Sequence, residues 1–121
     1  MRTEIEVAIT LHQEWTDRMR HAVQSRSLLE GGEFVLARVQ ADYLCSFGKW
    51  LYGPTMSATV RESTSYQRVR ALHADFHGVA AEVLMLAAAG NSDAAIAALE
   101  ADFAESTREL VSALRDWQDE F

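Results

Sequence analysis

Leu72-His73-Ala74-Asp75-Phe76-His77 is the stretch around which the chain reads. Its two histidines are four residues apart, so on a helix they stand one above the other on the same face. The surrounding residues make that helix. Over Gln67 to Ala89, Val69, Leu72, His73, Phe76, His77, Ala80, Val83, Leu84 and Ala87 recur at three- and four-residue steps. This is the period of an α-helix with one buried stripe, and both imidazoles fall inside it. Two readings are open at this point. The pair is either a half-buried couple at a helix seam or two ligands offered to one metal ion by a single helix.

Moving outward, Gly53-Pro54 is the firmest break before this helix. The Ser- and Thr-rich residues 56–66 between them form either a short separate helix or a loop. Upstream, Glu33 to Leu51 reads as a helix with two apolar faces. One carries Phe34, Ala37, Ala41, Leu44, Cys45, Gly48 and Leu51; the other carries Leu36, Val39, Tyr43, Phe47 and Trp50. Such a helix is wedged between partners rather than laid on a surface. Gly31-Gly32 separates it from a first helix over residues 3 to about 27, with Ile5, Ala8, Ile9, His12, Trp15, Met19, Ala22 and Val23 on its stripe. Thr3 and Glu6 have the spacing of a capping box. His12 lies in that stripe and His21 at its rim. After Gly90-Asn91, with Ser92-Asp93 as a cap, a last helix runs to Trp117 and buries Ile96, Leu99, Phe103, Leu110, Leu114 and Trp117. The expected fold is all-α: one domain over 1–121, an antiparallel four-helix bundle, with the extra short helix at 56–66 as an option.

Composition narrows the function classes. The chain has 121 residues, 49% of them hydrophobic and 24% charged, which suits one globular domain with a single core. A net charge of −7 argues against binding nucleic acid or an anionic membrane through a basic surface. The lone Cys45 excludes an internal disulfide framework and fits a reducing cytoplasm. Met-Arg-Thr-Glu-Ile-Glu at the start has no signal-peptide pattern, and the apolar run Val79–Ala89 is too short to insert into a membrane. The expected location is the cytoplasm.

The core-facing groups with metal chemistry are His12, Cys45, His73 and His77. Three imidazoles and a thiolate fill the four positions of tetrahedral Zn2+, and a bundle core is where facing helices can project such ligands inward. Two other classes stay open. A zinc-dependent hydrolase would keep water at the ion with Glu14 or Asp75 as general base. A plain helical interaction module would bury the cysteine and histidines as ordinary core.

His12-Gln13-Glu14-Trp15, then Cys45-Ser46-Phe47-Gly48-Lys49-Trp50, then His73-Ala74-Asp75-Phe76-His77 resembles the chemoreceptor zinc-binding (CZB) domain family. That family's pattern is His-x-x-Trp, Cys-x-Phe/Leu-Gly-x-Trp and His-x-x-x-His, in this order; the middle block is the specific one. The resemblance covers about residues 5 to 90. It implies that His12, Cys45, His73 and His77 are the four zinc ligands, that the domain is a non-enzymatic regulator, and that it forms a homodimer. It further implies control of an attached or partner signalling domain, of chemotaxis or diguanylate cyclase (cyclic-di-GMP) type. The Cys45 thiolate would be a redox switch open to hypochlorous acid. On this reading the chain is either free-standing or the N-terminal part of a longer protein.

Overall fold

The computed structural model describes residues 2–25 and 46–121. The Gly31-Gly32 loop, most of the expected helix Glu33–Leu51, and Cys45 itself lie outside the described residues. The elements in order are α1 (Arg2–Ser25), α2 (Ser46–Leu51), α3 (Ala58–Arg61), α4 (Thr64–Ala88), α5 (Ser92–Ala98), a π turn (Leu99–Phe103) and α6 (Ala104–Gln118). There is no strand among the described residues.

The first helix already includes Arg2, so Thr3 stands inside it and is not its cap. The Ser/Thr-rich stretch resolves in favour of the short helix. Ser57 caps α3 by accepting from the Val60 N–H at 3.2 Å, and Ser63 caps α4 by accepting from Tyr66 N–H at the same distance. Because the second cap comes early, α4 begins at Thr64, three residues before the expected Gln67. Its end is built by Gly90, whose φ of 86° is open to glycine at little steric cost. From there the Gly90 N–H donates to Ala87 and the Asn91 N–H to Leu86, which satisfies carbonyls the helix leaves open. Ser92 is the first residue of α5, not its cap. Asn91 holds the cap position, with no side-chain cap bond.

One feature of the last helix departs from a regular α-helix for a readable reason. Ala95, Leu99, Phe103 and Thr107 are all buried, at successive four-residue steps. A helix of 3.6 residues per turn would carry such a row around its axis by about 40° per step, about a third of a turn in all. The π turn at Leu99–Phe103 widens the helix and absorbs that drift. The Thr107 hydroxyl donates to the Phe103 carbonyl at 2.8 Å, so a buried polar group there is paired. Ile96, expected in the core, is half-buried, and Ala95 takes the inward position.

Helix direction follows from which ends meet. Arg2 donates to the carbonyls of Gln118 and Phe121, while Arg20 pairs with Glu100 at 3.6 Å. Arg68 pairs with Asp116 at 3.1 Å, and Phe76 packs on Phe103 with ring centroids 5.0 Å apart. Thus α1 and α4 run the same way and the last helix runs against both, in an all-α helical bundle. The core joins Ile5, Met19 and Val23 of α1, Val69, Phe76 and Leu84 of α4, and Leu99, Phe103, Leu110, Leu114 and Trp117 of the last helix. Each such side chain contributes about 1.5–3 kcal/mol on leaving water.

Candidate metal centre

Where α1 crosses the middle of α4, the core turns polar. His12, His73 and His77 are 2%, 0% and 1% exposed. They arrive there by spacing alone: His12 extends the Ile5–Ala8–Ile9 stripe by one turn, and His73 and His77 flank Phe76 on the inner stripe of α4. One ring nitrogen from each lies within 4.8 Å of the others. Nε2 of His73 and Nε2 of His77 are 3.1 Å apart.

The His12 tautomer can be read from its neighbour. Nδ1 lies 2.7 Å from the Ala8 carbonyl oxygen, one turn back on α1. A carbonyl only accepts, so Nδ1 carries the proton and Nε2 keeps a lone pair. A backbone carbonyl on the far nitrogen is the usual way a metal-binding histidine is oriented. Ala8 was not visible as a functional position from its residue type. Its place four residues before His12 is the signal that marks it.

All three rings are walled by aromatics. Phe47 of α2 stands edge-on to His12 and His73, at centroid distances of 5.6 and 5.1 Å. Phe76 lies 5.0 Å from His12, and Trp15 lies 5.0 Å from His77. Burial in this setting disfavours the imidazolium. It lowers His12 to about 4, against the opposing Ala8 hydrogen bond and with a small push from His77. His73 falls to about 2, first from burial, then from the nearness of His12 and His77. Both rings are therefore neutral near pH 7, the form that ligates metals.

These residues fit a metal ion. Ligating nitrogens at about 2.0–2.1 Å from tetrahedral zinc would be about 3.3–3.4 Å apart, close to the 3.1 Å between the two Nε2 atoms. Three buried imidazoles whose ring nitrogens converge have little purpose as plain core, where burying polar rings is costly. Among the described residues this is the group of histidine, cysteine or carboxylate side chains placed to hold an ion. His21 is exposed and stands apart from it, as its position on the rim of the stripe implied. Cys45 lies outside the described residues, but Phe47, two positions later, is in contact with His12 and His73.

An all-α bundle with a buried three-histidine centre defines a class of helical metal-binding module. The family model for the chemoreceptor zinc-binding domain matches residues 12–84, and the chain belongs to that family. The matched span starts at His12 and includes Cys45, His73 and His77. No curated protein and no solved structure matches the chain. Among the described residues no helix is long and apolar enough to cross a membrane.

Proposed function

We propose that this chain is a regulatory, non-enzymatic zinc module in which His12, His73, His77 and Cys45 hold one Zn2+. The observation that carries the reading is the convergence of three buried imidazoles within 4.8 Å. Zinc, when bound, supplies a Lewis acid that keeps a cysteine ligand deprotonated. The chain's own residues do the rest: Ala8 orients His12, and Trp15, Phe47 and Phe76 exclude water. For Cys45 the support is its place inside the span matched by the family model, two positions before Phe47, which touches His12 and His73. A hydrolase would need a carboxylate beside the ion. Glu14 and Asp75 are both exposed, and Glu14 pairs with Arg18 at 3.7 Å, which favours the regulatory reading.

The switch is a reaction of Cys45. Its thiolate sulfur attacks the chlorine of hypochlorous acid, so that an S–Cl bond forms as the Cl–O bond breaks and hydroxide leaves; water then displaces chloride from sulfur and gives up a proton, leaving a sulfenic acid. The sulfenic acid is a poorer ligand that a thiol can restore. The altered packing would be passed to a signalling domain, attached or separate, of chemotaxis or diguanylate cyclase type. We place the module in the cytoplasm as a homodimer, with 1–121 as one domain. The test is elemental analysis of protein purified without an affinity tag. It should find one zinc per chain; protein that holds no transition metal and takes none up on titration would remove the reading.

A further inference from the structure

We propose that Phe103 is a positioning residue for the histidine centre, acting through the ring of Phe76; this rests on the zinc reading above. The last helix offers the centre no imidazole or thiol of its own, since residues 92–121 contain neither histidine nor cysteine. It reaches the imidazoles through one pair of rings. Phe103 lies 5.0 Å from Phe76, centroid to centroid, with the rings tilted by 43°. Phe76 in turn stands edge-on to His12 at 5.0 Å and to His77 at 5.5 Å. It thus meets an imidazole from each of α1 and α4 and a ring from the last helix. Both phenylalanines are wholly buried.

The π turn is what sets Phe103 there. Phe103 is the last residue of that turn, and Leu99, its first, is buried on the same side. In a regular helix Phe103 would stand about 40° round from Leu99. Turns of this kind are rare and recur at functional sites. This one is tied to both helices that carry the imidazoles: Glu100 pairs with Arg20 of α1 at 3.6 Å, and Phe103 packs on Phe76 of α4. In a close-packed interior, the ring against Phe76 fixes where Phe76 itself meets His12 and His77. A binding centre needs its groups held to within about 0.5 Å, and packed neighbours supply that constraint. Phe103→Leu keeps an apolar side chain but removes the ring on which Phe76 rests. Phe76 then draws back from the two imidazoles, their orientation loosens, and metal affinity falls.

A general loosening of the core also weakens zinc binding, so a matched control separates position from stability. Leu114 is as deeply buried on the same helix, about three turns beyond Phe103. Leu114→Val removes a side-chain volume comparable to that lost in Phe103→Leu, away from Phe76. Zinc affinity of the full chain is read by competition with a chelator, and stability by urea unfolding of zinc-free protein. Phe103→Leu should lose about tenfold in zinc affinity, within the range that loss of an outer partner costs, while Leu114→Val stays within about twofold of the unaltered chain. Phe103→Met, which fills the space with a flexible side chain, should show the same loss, so the test survives if Phe103→Leu does not fold. Unaltered affinity in either folded Phe103 variant overturns the positioning role and leaves the zinc reading intact. Equal losses in Phe103→Leu and Leu114→Val also overturn it, because affinity then follows stability. No zinc uptake by the unaltered chain overturns both.

Discussion

Two seams of this bundle are buried to the same depth and built from opposite materials. Between α4 and the last helix, the core takes Val69, Phe76, Val83 and Leu84 from one and Leu99, Phe103, Leu110 and Leu114 from the other, every one 2% exposed or less. Between α1 and α4, equally dry, stand His12, His73 and His77. The apolar seam stabilises the fold by leaving water. In the polar seam, burial works against the charged forms of His12 and His73 and lowers both pKa values. Equal burial therefore has different consequences: one seam holds the bundle together, and the other is a site that the rest of the bundle holds in place.

The sharpest way to break this contrast is to remove one of the converging imidazoles. His73→Ala or His77→Ala should weaken zinc binding by more than the roughly 10–100-fold that loss of an outer partner costs, as read by competition with a chelator, while the bundle stays folded. If zinc affinity survives both, the polar seam is only core. Next comes the apolar seam. Phe103→Ala should cost about 3–5 kcal/mol in urea unfolding; a loss below about 1 kcal/mol would mean that the seam does not hold the fold as described.

Proton linkage separates the seams without mutation. In zinc-free protein, His12 and His73 have folded pKa values depressed to about 4 and about 2 from an unfolded value near 6.5. The unfolded chain therefore binds more protons below pH 6.5. Stability is fully present above that pH and falls on acidification, through about pH 4 for His12 and on toward pH 2 for His73, by about 1.4 kcal/mol per pH unit for each ring. Urea unfolding over a pH series should show this slope between about pH 6 and 4, and His73→Phe should roughly halve it. A flat profile would mean that the rings are wetter than their burial implies.

A smaller effect is expected at the π turn. Thr107→Val removes the hydroxyl that donates to the Phe103 carbonyl, at a cost of about 1 kcal/mol, read from the thermal midpoint. The smallest is His21→Ala, an exposed change that should leave zinc stoichiometry and stability where they were.

The same contrast explains what could be read in the sequence. Regular stripes at three- and four-residue steps placed His12, His73 and His77 inward, because hydrophobic periodicity governs which face is buried whatever the residue between apolar neighbours. The breaks at Gly53-Pro54 and Gly90 were legible because glycine and proline constrain the backbone directly. Three things were not. The start of α4 turned on which serine among several accepts from a backbone N–H, a choice made by tertiary packing. The π turn left a trace in the row Ala95, Leu99, Phe103, Thr107, but threonine does not read as a core residue, so the run of four-residue steps was hidden. The His12–Ala8 hydrogen bond depends on ring orientation, which spacing does not report.

In the proposed centre, three imidazoles and the Cys45 thiolate share one ion. Cobalt(II) in place of zinc tests the whole ligand set at once, because tetrahedral cobalt absorbs strongly in the visible and a thiolate ligand adds a charge-transfer band in the near ultraviolet. Both features are expected at one cobalt per chain, with the near-ultraviolet band lost in Cys45→Ser and the visible bands collapsing in His73→Ala. Tetrahedral bands with no thiolate transition would take Cys45 out of the site, and no spectrum at all would contradict the metal centre itself.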